Sequence, residues 1–589
     1  IGLRAIVSFC FFGMILFGCE PTDGLNNKDG DKEMAHGAME KLEETYSSGL
    51  IGMLPIWENF TPATIEKGAA LLLADSAKTF SFLENEYKPT WEGLIAPLTT
   101  IENRIGRVMG TVSHLVSVKY SDELKNAYDA VRSDYVSLIN RMNQSEKIYA
   151  GLLKVRNSEE FSSFNPARAR IVNEALRGME RAGVHLSETA KFRYQEIQQR
   201  LSELANDFST NLVKQEQAEK ITITEPNLIE GVPEAVLELA AIAAGNSAGM
   251  TPDSTDGPWE FSVNGPNYVA VMENATNREL REIFYRAYRT RGAVPEFDNR
   301  PIVSEILSLR QEQAALVGFN NFAEFSIADK MAPSLEAVWS LLAELESAAR
   351  PVAEQEYQEL VEFMRSEGAE EALAPQPWDL GFWSERLRES RYNYDAEALR
   401  EFFQITNVFK GLFELIEKLY GVELREVASG DVPVWDEEVQ FFEVLKHDQV
   451  IAAFFVDPYA RPGEKRGGAW MNTVVDKAKL MTDDGGQVER LPVALFVMNA
   501  RPPADGQEGL LSLDEVRTLF HEFGHATQHM FTQIEDSGAS GLNLVEWDAV
   551  ELASQFNEFW MDHKPFLKGM TAHIESGKQI DDETINRIV

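Results

Sequence analysis

His521-Glu522-Phe523-Gly524-His525 places two histidines four residues apart with a glutamate directly after the first. Four residues are about one helical turn, so on a helix both imidazoles leave from one side and can grip a single ion. Glu522 is angularly adjacent but out of phase with the pair, which lets it reach a water beside a metal without ligating it. Two imidazoles do not complete a catalytic zinc site, which takes three protein ligands and one open position. Downstream, Trp547-Asp548-Ala549-Val550-Glu551-Leu552-Ala553-Ser554-Gln555 reads as the opening of a helix, with Glu551 the best-placed third ligand. Glu558, on the same face two turns along, is a supporting carboxylate. Asp548 either caps that helix or orients a ligating histidine. The chain has 9 histidines, and a chance match to this spacing arises on the order of once per hundred such sequences. The rival reading, two solvated histidines beside a glutamate, leaves the downstream carboxylates unexplained. His529 repeats the spacing, but helical drift carries it to a supporting or surface position.

Elements around these residues must hold them in place. Ser512-Leu513-Asp514-Glu515 is a capping box, so a helix should begin at Ser512, with Val516, Leu519, Phe520 and Phe523 as its apolar face. Just upstream, apolar runs over 440–445 and 450–456 flank Lys446-His447-Asp448-Gln449 and predict a hairpin; a third run covers 491–498. This small sheet leads straight into the helix, and an edge strand there could pair with an extended peptide. The glycine-rich loop over 463–468 lacks the Gly-Lys-Ser/Thr ending of a phosphate cradle, which argues against ATP. It reads instead as a substrate-lining loop formed by Tyr459, Arg466, Gly467 and Gly468. Further upstream, 41–217 reads as helix after helix; Tyr194, Ile197, Leu201, Leu204, Phe208 and Leu212 form one stripe. The proline-rich stretch over 221–265 marks a soft boundary, and helical patterning resumes over 277–413. The expected domains are a helical one over 41–225 and a catalytic one over 226–589.

Composition narrows the partners. Acidic residues outnumber basic ones 94 to 55, a formal charge of −39, and such a surface repels phosphate backbones, so nucleic acid is excluded as a partner. The only cysteines are Cys10 and Cys19, which removes cysteine nucleophiles, cysteine zinc ligands and disulfides from the mature domain. Arg4, the apolar run over 5–17 and Leu16-Phe17-Gly18-Cys19 resemble a signal peptide ending in a bacterial lipobox. The expectation is a leader over 1–19, a flexible tether over 20–40, and a lipid anchor on Cys19. That would place the protein in the bacterial envelope facing the periplasm, touching membrane only through the anchor.

Leu519-Phe520-His521-Glu522-Phe523-Gly524-His525 together with 547–555 resembles the thimet oligopeptidase family of zinc peptidases, as do 459–471 and Pro492-Val493-Ala494-Leu495. Within the family the likeness is greatest to the bacterial oligopeptidase branch, with the dipeptidyl carboxypeptidases next. The resemblance implies a mainly α, two-lobed molecule with a deep channel admitting short peptides, and a small β-sheet beside the histidine-bearing helix. It implies one zinc on His521, His525 and Glu551, Glu522 as general base, and a monomer cutting short peptides internally. Release of C-terminal dipeptides is the alternative, and a non-catalytic peptide-binding lipoprotein is a third reading that the four intact residues disfavour. Gln528 and Ala553 depart from the family's usual histidine and proline. Family members continue past the third-ligand helix into a segment whose histidine and tyrosines hold substrate. This chain starts at Ile1 and stops at Val589 within the helical pattern over 582–589, so a C-terminally truncated sequence is expected.

Overall fold

The computed structural model describes residues 29–48, 51–249, 255–392, 396–461, 464–481, 487–503 and 508–589. The expected leader, with Cys10 and Cys19, lies outside these residues. The expected tether is corrected in its second half. Helix α1 (Asp29–Glu43) occupies it, and Met39 and Leu42 are buried. Two apolar residues three apart are sufficient there because a glycine lets the helix come close; a Cβ on Gly68 would lie 2.7 Å from the Ala38 backbone.

The fold is mainly α. Helices α2 (Ala96–Val118) and α3 (Pro166–Arg181) belong to the N-terminal helical array; α4 (Ile405–Tyr420) precedes the sheet. The main sheet comprises β1 (Glu423–Glu426), β2 (Gln440–Lys446), β3 (Gln449–Tyr459), β4 (Trp470–Val475) and β5 (Val493–Ala500), in the order β1-β2-β3-β5-β4. The predicted hairpin is β2–β3, antiparallel, and its turn residues His447 and Asp448 both have positive φ, 53° and 61°. That left-handed pair matches the twist of the flanking strands. The third apolar run, β5, pairs parallel with β3 and antiparallel with β4, which leaves β4 at the edge.

Both faces of the sheet are covered, which is why its inner strands are almost continuously apolar. Phe441, Phe455, Leu495 and Val497 share a core with Trp57, Val108 and Val112 of the N-terminal helices. The alternate residues Phe442, Phe454 and Phe496 share the opposite core with Leu412, Phe520 and Phe523. The sheet is thus the common wall between the N-terminal helices and the histidine-bearing helix. The boundary expected at 225 is bridged, since strand Lys220–Ile223 pairs with Trp259–Ser262 and helix Glu188–Ala218 packs on Arg300–Leu316. Among the described residues no helix is long and apolar enough to cross a membrane.

Candidate active site

Helix α5 (Leu513–Met530) starts where the capping box predicts. Ser512 Oγ accepts from the Glu515 amide at 3.1 Å, and Glu515 accepts from the Ser512 amide at 2.7 Å. Val516, Leu519, Phe520 and Phe523 are fully buried, and the Phe523 ring meets Phe454 and Phe496 edge-on at 5.3 and 5.7 Å. That contact fixes the rotation of α5 on the sheet. His521 and His525 consequently emerge together, ring centroids 5.0 Å apart, with side chains 13% and 12% exposed.

Glu551 completes the cluster, though not from within a helix. The expected helix over 547–555 begins only at Leu552, as α6 (Leu552–Glu558), and Glu551 sits in the turn ahead of it. Its Oε2 lies 3.1 Å from His521 Nε2 and 3.2 Å from His525 Nε2. One donor atom from each of the three residues falls within 4.8 Å of the others, a group able to hold a metal ion. Ser554 Oγ donates to the same carboxylate oxygen at 2.8 Å, and Asn557 Nδ2 donates to the Phe520 carbonyl at 2.6 Å. Gly524 permits this approach, because a Cβ there would lie 2.6 Å from both the Ala553 carbonyl oxygen and Ser554 Cα. The glycine between the histidines therefore belongs to the contact that brings in Glu551.

Electrostatics follow from this packing. Burial opposes charging of His521, but hydrogen bonds to Glu551 and Glu558 outweigh it and lift the imidazole to about 9. Hydrogen bonds from the two histidines hold Glu551 well below the usual carboxylate range. Glu558 Oε1 is 2.6 Å from His521 Nδ1, so the supporting carboxylate orients that imidazole. Glu522 is 2% exposed, and burial pushes its carboxyl up to about 7.

The other expected residues divide. Asp548 takes neither expected role: its two oxygens accept from the Met331 and Ala332 amides at 2.9 Å each, tying the Glu551 turn to a neighbouring loop. His529 is fully buried, with Nε2 2.9 Å from the Val475 carbonyl, which removes the surface alternative. Tyr459 lines a cavity of about 380 Å³ with Ile405, Phe409, Val432 and Glu508, and none of the cluster residues is part of its wall. Arg466 lies over the Trp470 ring at 4.8 Å and Gly468 has φ +98°; both lead into edge strand β4, which packs on α5. Gly467 is exposed beside them. Pro462 and Gly463 of this loop lie outside the described residues.

One group escaped the sequence reading. Asp457 is fully buried and accepts from Trp435 Nε1 at 2.9 Å, Arg461 Nη1 at 2.8 Å and Lys465 Nζ at 2.7 Å. Burial pulls the Lys465 ammonium down to about 8 despite that partner. Backbone bonds from Tyr120 to Glu464 and from Arg466 to Ser117, 2.7 and 2.8 Å, then pin the loop to the end of α2. A carboxylate and two cations spaced by four along 457–465 were the available signal.

Comparison with known proteins agrees with this chemistry. Residues 271–589 match the family described as Peptidase family M3, and residues 69–191 match the family described as Neurolysin/Thimet oligopeptidase, N-terminal domain. The chain belongs to peptidase family M3. It is a metallopeptidase, and its likeness is to the oligopeptidase A type. Organellar oligopeptidase A, chloroplastic/mitochondrial, from Arabidopsis thaliana is 38% identical over 536 residues, covering 91% of this chain and 67% of the relative. A probable cytosolic oligopeptidase A of the same plant is 37% identical, covering 91% and 76%. Oligopeptidase A of Escherichia coli (strain K12) is 35% identical over 543 residues, covering 91% and 78%; the dipeptidyl carboxypeptidase of that bacterium is more distant. These family relatives overturn the expected lipid-anchored place in a bacterial envelope, since the names that carry a location are organellar and cytosolic. A short apolar run ahead of a cysteine is a pattern of composition that few residues define, so it carried too little information to assign an anchor.

Proposed function

We propose that the chain hydrolyses internal bonds of short peptides with one zinc ion held by His521, His525 and Glu551 and with Glu522 as general base. The observation that carries this reading is the set of two imidazole nitrogens and one carboxylate oxygen within 4.8 Å of one another. The donor chemistry fits zinc: nitrogen and oxygen ligands, three in number, with a fourth position left for water. Zinc bound there would lower the pKa of water from 15.7 towards about 7 and polarise the scissile carbonyl. Glu522, buried beside the pair and not a member of the ligand group, takes the proton from the attacking water and passes it to the leaving amide nitrogen. Glu558 keeps the His521 ring oriented, and the Glu551 turn is held by Ser554 and Asp548. Gly467 and Gly468 lead into edge strand β4, which packs on α5, and an extended peptide can pair along that edge. The proposed molecule is a monomer whose channel admits peptides and excludes folded proteins.

Two measurements test this. Metal analysis of the zinc-reconstituted protein should find close to one zinc per chain, removed by chelators. Digestion of one peptide with both ends blocked and one with a free carboxylate should yield internal cuts in both. A chain that cleaved only the free-carboxyl peptide, two residues from its end, would be a carboxydipeptidase.

A further inference from the structure

Between α5 and Glu551 the chain contains a single 3-10 turn, Ser537–Ala539, and otherwise no helix or strand. Such a segment has no hydrogen-bond ladder of its own, so its course is set by whatever grips it. Much of the grip comes from the N-terminal helices, while Asn543 Nδ2 also donates to Asp476 Oδ1 at 3.0 Å and the Lys479 amide to the Glu535 carbonyl at 2.9 Å. Arg170 on α3 donates to the Leu544 carbonyl from Nε at 3.2 Å and from Nη2 at 2.5 Å, and Nη2 is also 2.9 Å from Glu546 Oε1. Arg168 places Nε 3.1 and 3.3 Å from the two Asp536 oxygens, with its guanidinium 4.3 Å above the Trp91 ring. Asn103 on α2 donates to Ser537 Oγ at 3.1 Å. From the opposite side His529 presses on the loop so closely that a Cβ on Gly541 would lie 2.2 Å from its Nδ1.

Leu544 itself has φ +62°, a left-handed state that a branched side chain keeps only when its surroundings impose it. The carbonyl that Arg170 takes with two N–H groups belongs to that residue. Partly exposed ion pairs contribute little to stability by themselves. Here, however, the planar guanidinium is a geometric device that fixes one carbonyl and one carboxylate together. Glu551 follows seven residues later, with Asp548 bonded to the Met331 and Ala332 amides between them.

We infer that α3 is a clamp on the metal centre: Arg170, aided by Arg168, sets the course of 536–546 and so holds Glu551 where it can ligate the ion. The inference rests on Glu551 being a metal ligand. Both arginines are positioning residues, since neither reaches the ligand cluster. The N-terminal helices then govern how tightly the ion is kept, although none of the three ligands comes from them.

The test compares wild type, the double variant Arg168→Met/Arg170→Met, and Arg141→Met, which breaks an N-terminal ion pair with Glu84 away from the loop. Zinc release to a chromogenic chelator should be roughly tenfold faster in the double variant, the lower end of what supporting contacts contribute to metal affinity, and unchanged in Arg141→Met. Hydrogen exchange of amides 542–551 in the metal-free protein should also quicken in the double variant alone. Release and exchange at wild-type rates in the double variant would overturn the clamp, as would equal acceleration by Arg141→Met. If wild type retained no zinc, the ligand reading would fail, and the exchange comparison would still decide whether α3 orders the Glu551 segment.

Discussion

Replacing Gly524 by alanine adds one methyl group on the residue directly before His525, at the point where α5 and α6 touch. The new Cβ would stand 2.6 Å from the Ala553 carbonyl oxygen and from Ser554 Cα, and 3.0 Å from the Ala553 carbonyl carbon. Ordinary contact begins near 3.4 Å, so α6 would have to withdraw by about 0.8 Å. These are backbone atoms, which cannot swing aside as the tip of a flexible side chain could. Glu551 is bonded to Ser554 and must follow, whereas ligand distances at a metal site tolerate about 0.2 Å. The overpacking itself should cost about 1–3 kcal/mol. Zinc affinity should fall by roughly ten- to hundredfold although none of the three proposed ligands is altered. Competition against a calibrated chelator reads the affinity, and thermal unfolding of the metal-free protein reads the packing cost. A Gly524→Ala protein with wild-type melting temperature and undiminished zinc affinity would refute the argument that this glycine sets the reach of Glu551.

Glu522→Gln should keep its zinc while turnover of a short peptide falls by roughly 10²–10⁴, the range for loss of a general base, whereas Glu551→Gln should lose zinc retention itself. Metal analysis of both proteins separates the roles, and the opposite pattern would reassign them. His114, buried against Trp57 and Trp435 with neither ring nitrogen bonded, is held by burial at about 3. It therefore stays neutral in the fold while the unfolded chain takes up a proton below about 6.5, so stability drops as pH falls through that value. Urea unfolding should show about 2 kcal/mol of this loss between pH 7.5 and 5, and His114→Phe should remove it; an unchanged slope in the variant would contradict the assignment. Asp457→Asn leaves Lys465 buried without its carboxylate and should cost about 3–5 kcal/mol. A loss below about 1 kcal/mol in urea titration would mean the network is not what holds Glu464 and Arg466 against the end of α2.

The relation of His521, Glu522 and His525 was legible in the sequence because one helical turn is fixed by covalent geometry and the capping box marks where that helix starts. The β2–β3 hairpin was legible for the same local reason, with two apolar runs around a turn that left-handed His447 and Asp448 close. Glu551 was recognisable as a candidate from its residue type and its family likeness. Its place between the imidazoles is tertiary, made by the packing of α6 across Gly524. Glu558 stood out as a supporting carboxylate from its helical phase, although which imidazole nitrogen it meets is tertiary. Other relations had no local trace: Asp548 on the Met331 amide, and Arg170 on the Leu544 carbonyl, 374 positions along the chain. The helix over 29–43 escaped because its sequence is polar and its two buried residues find their core only in the folded chain. Periodicity within a turn or a hairpin is dictated by the backbone. Which distant surfaces meet depends on how the whole set of apolar faces can be buried at once, and that is settled only in three dimensions.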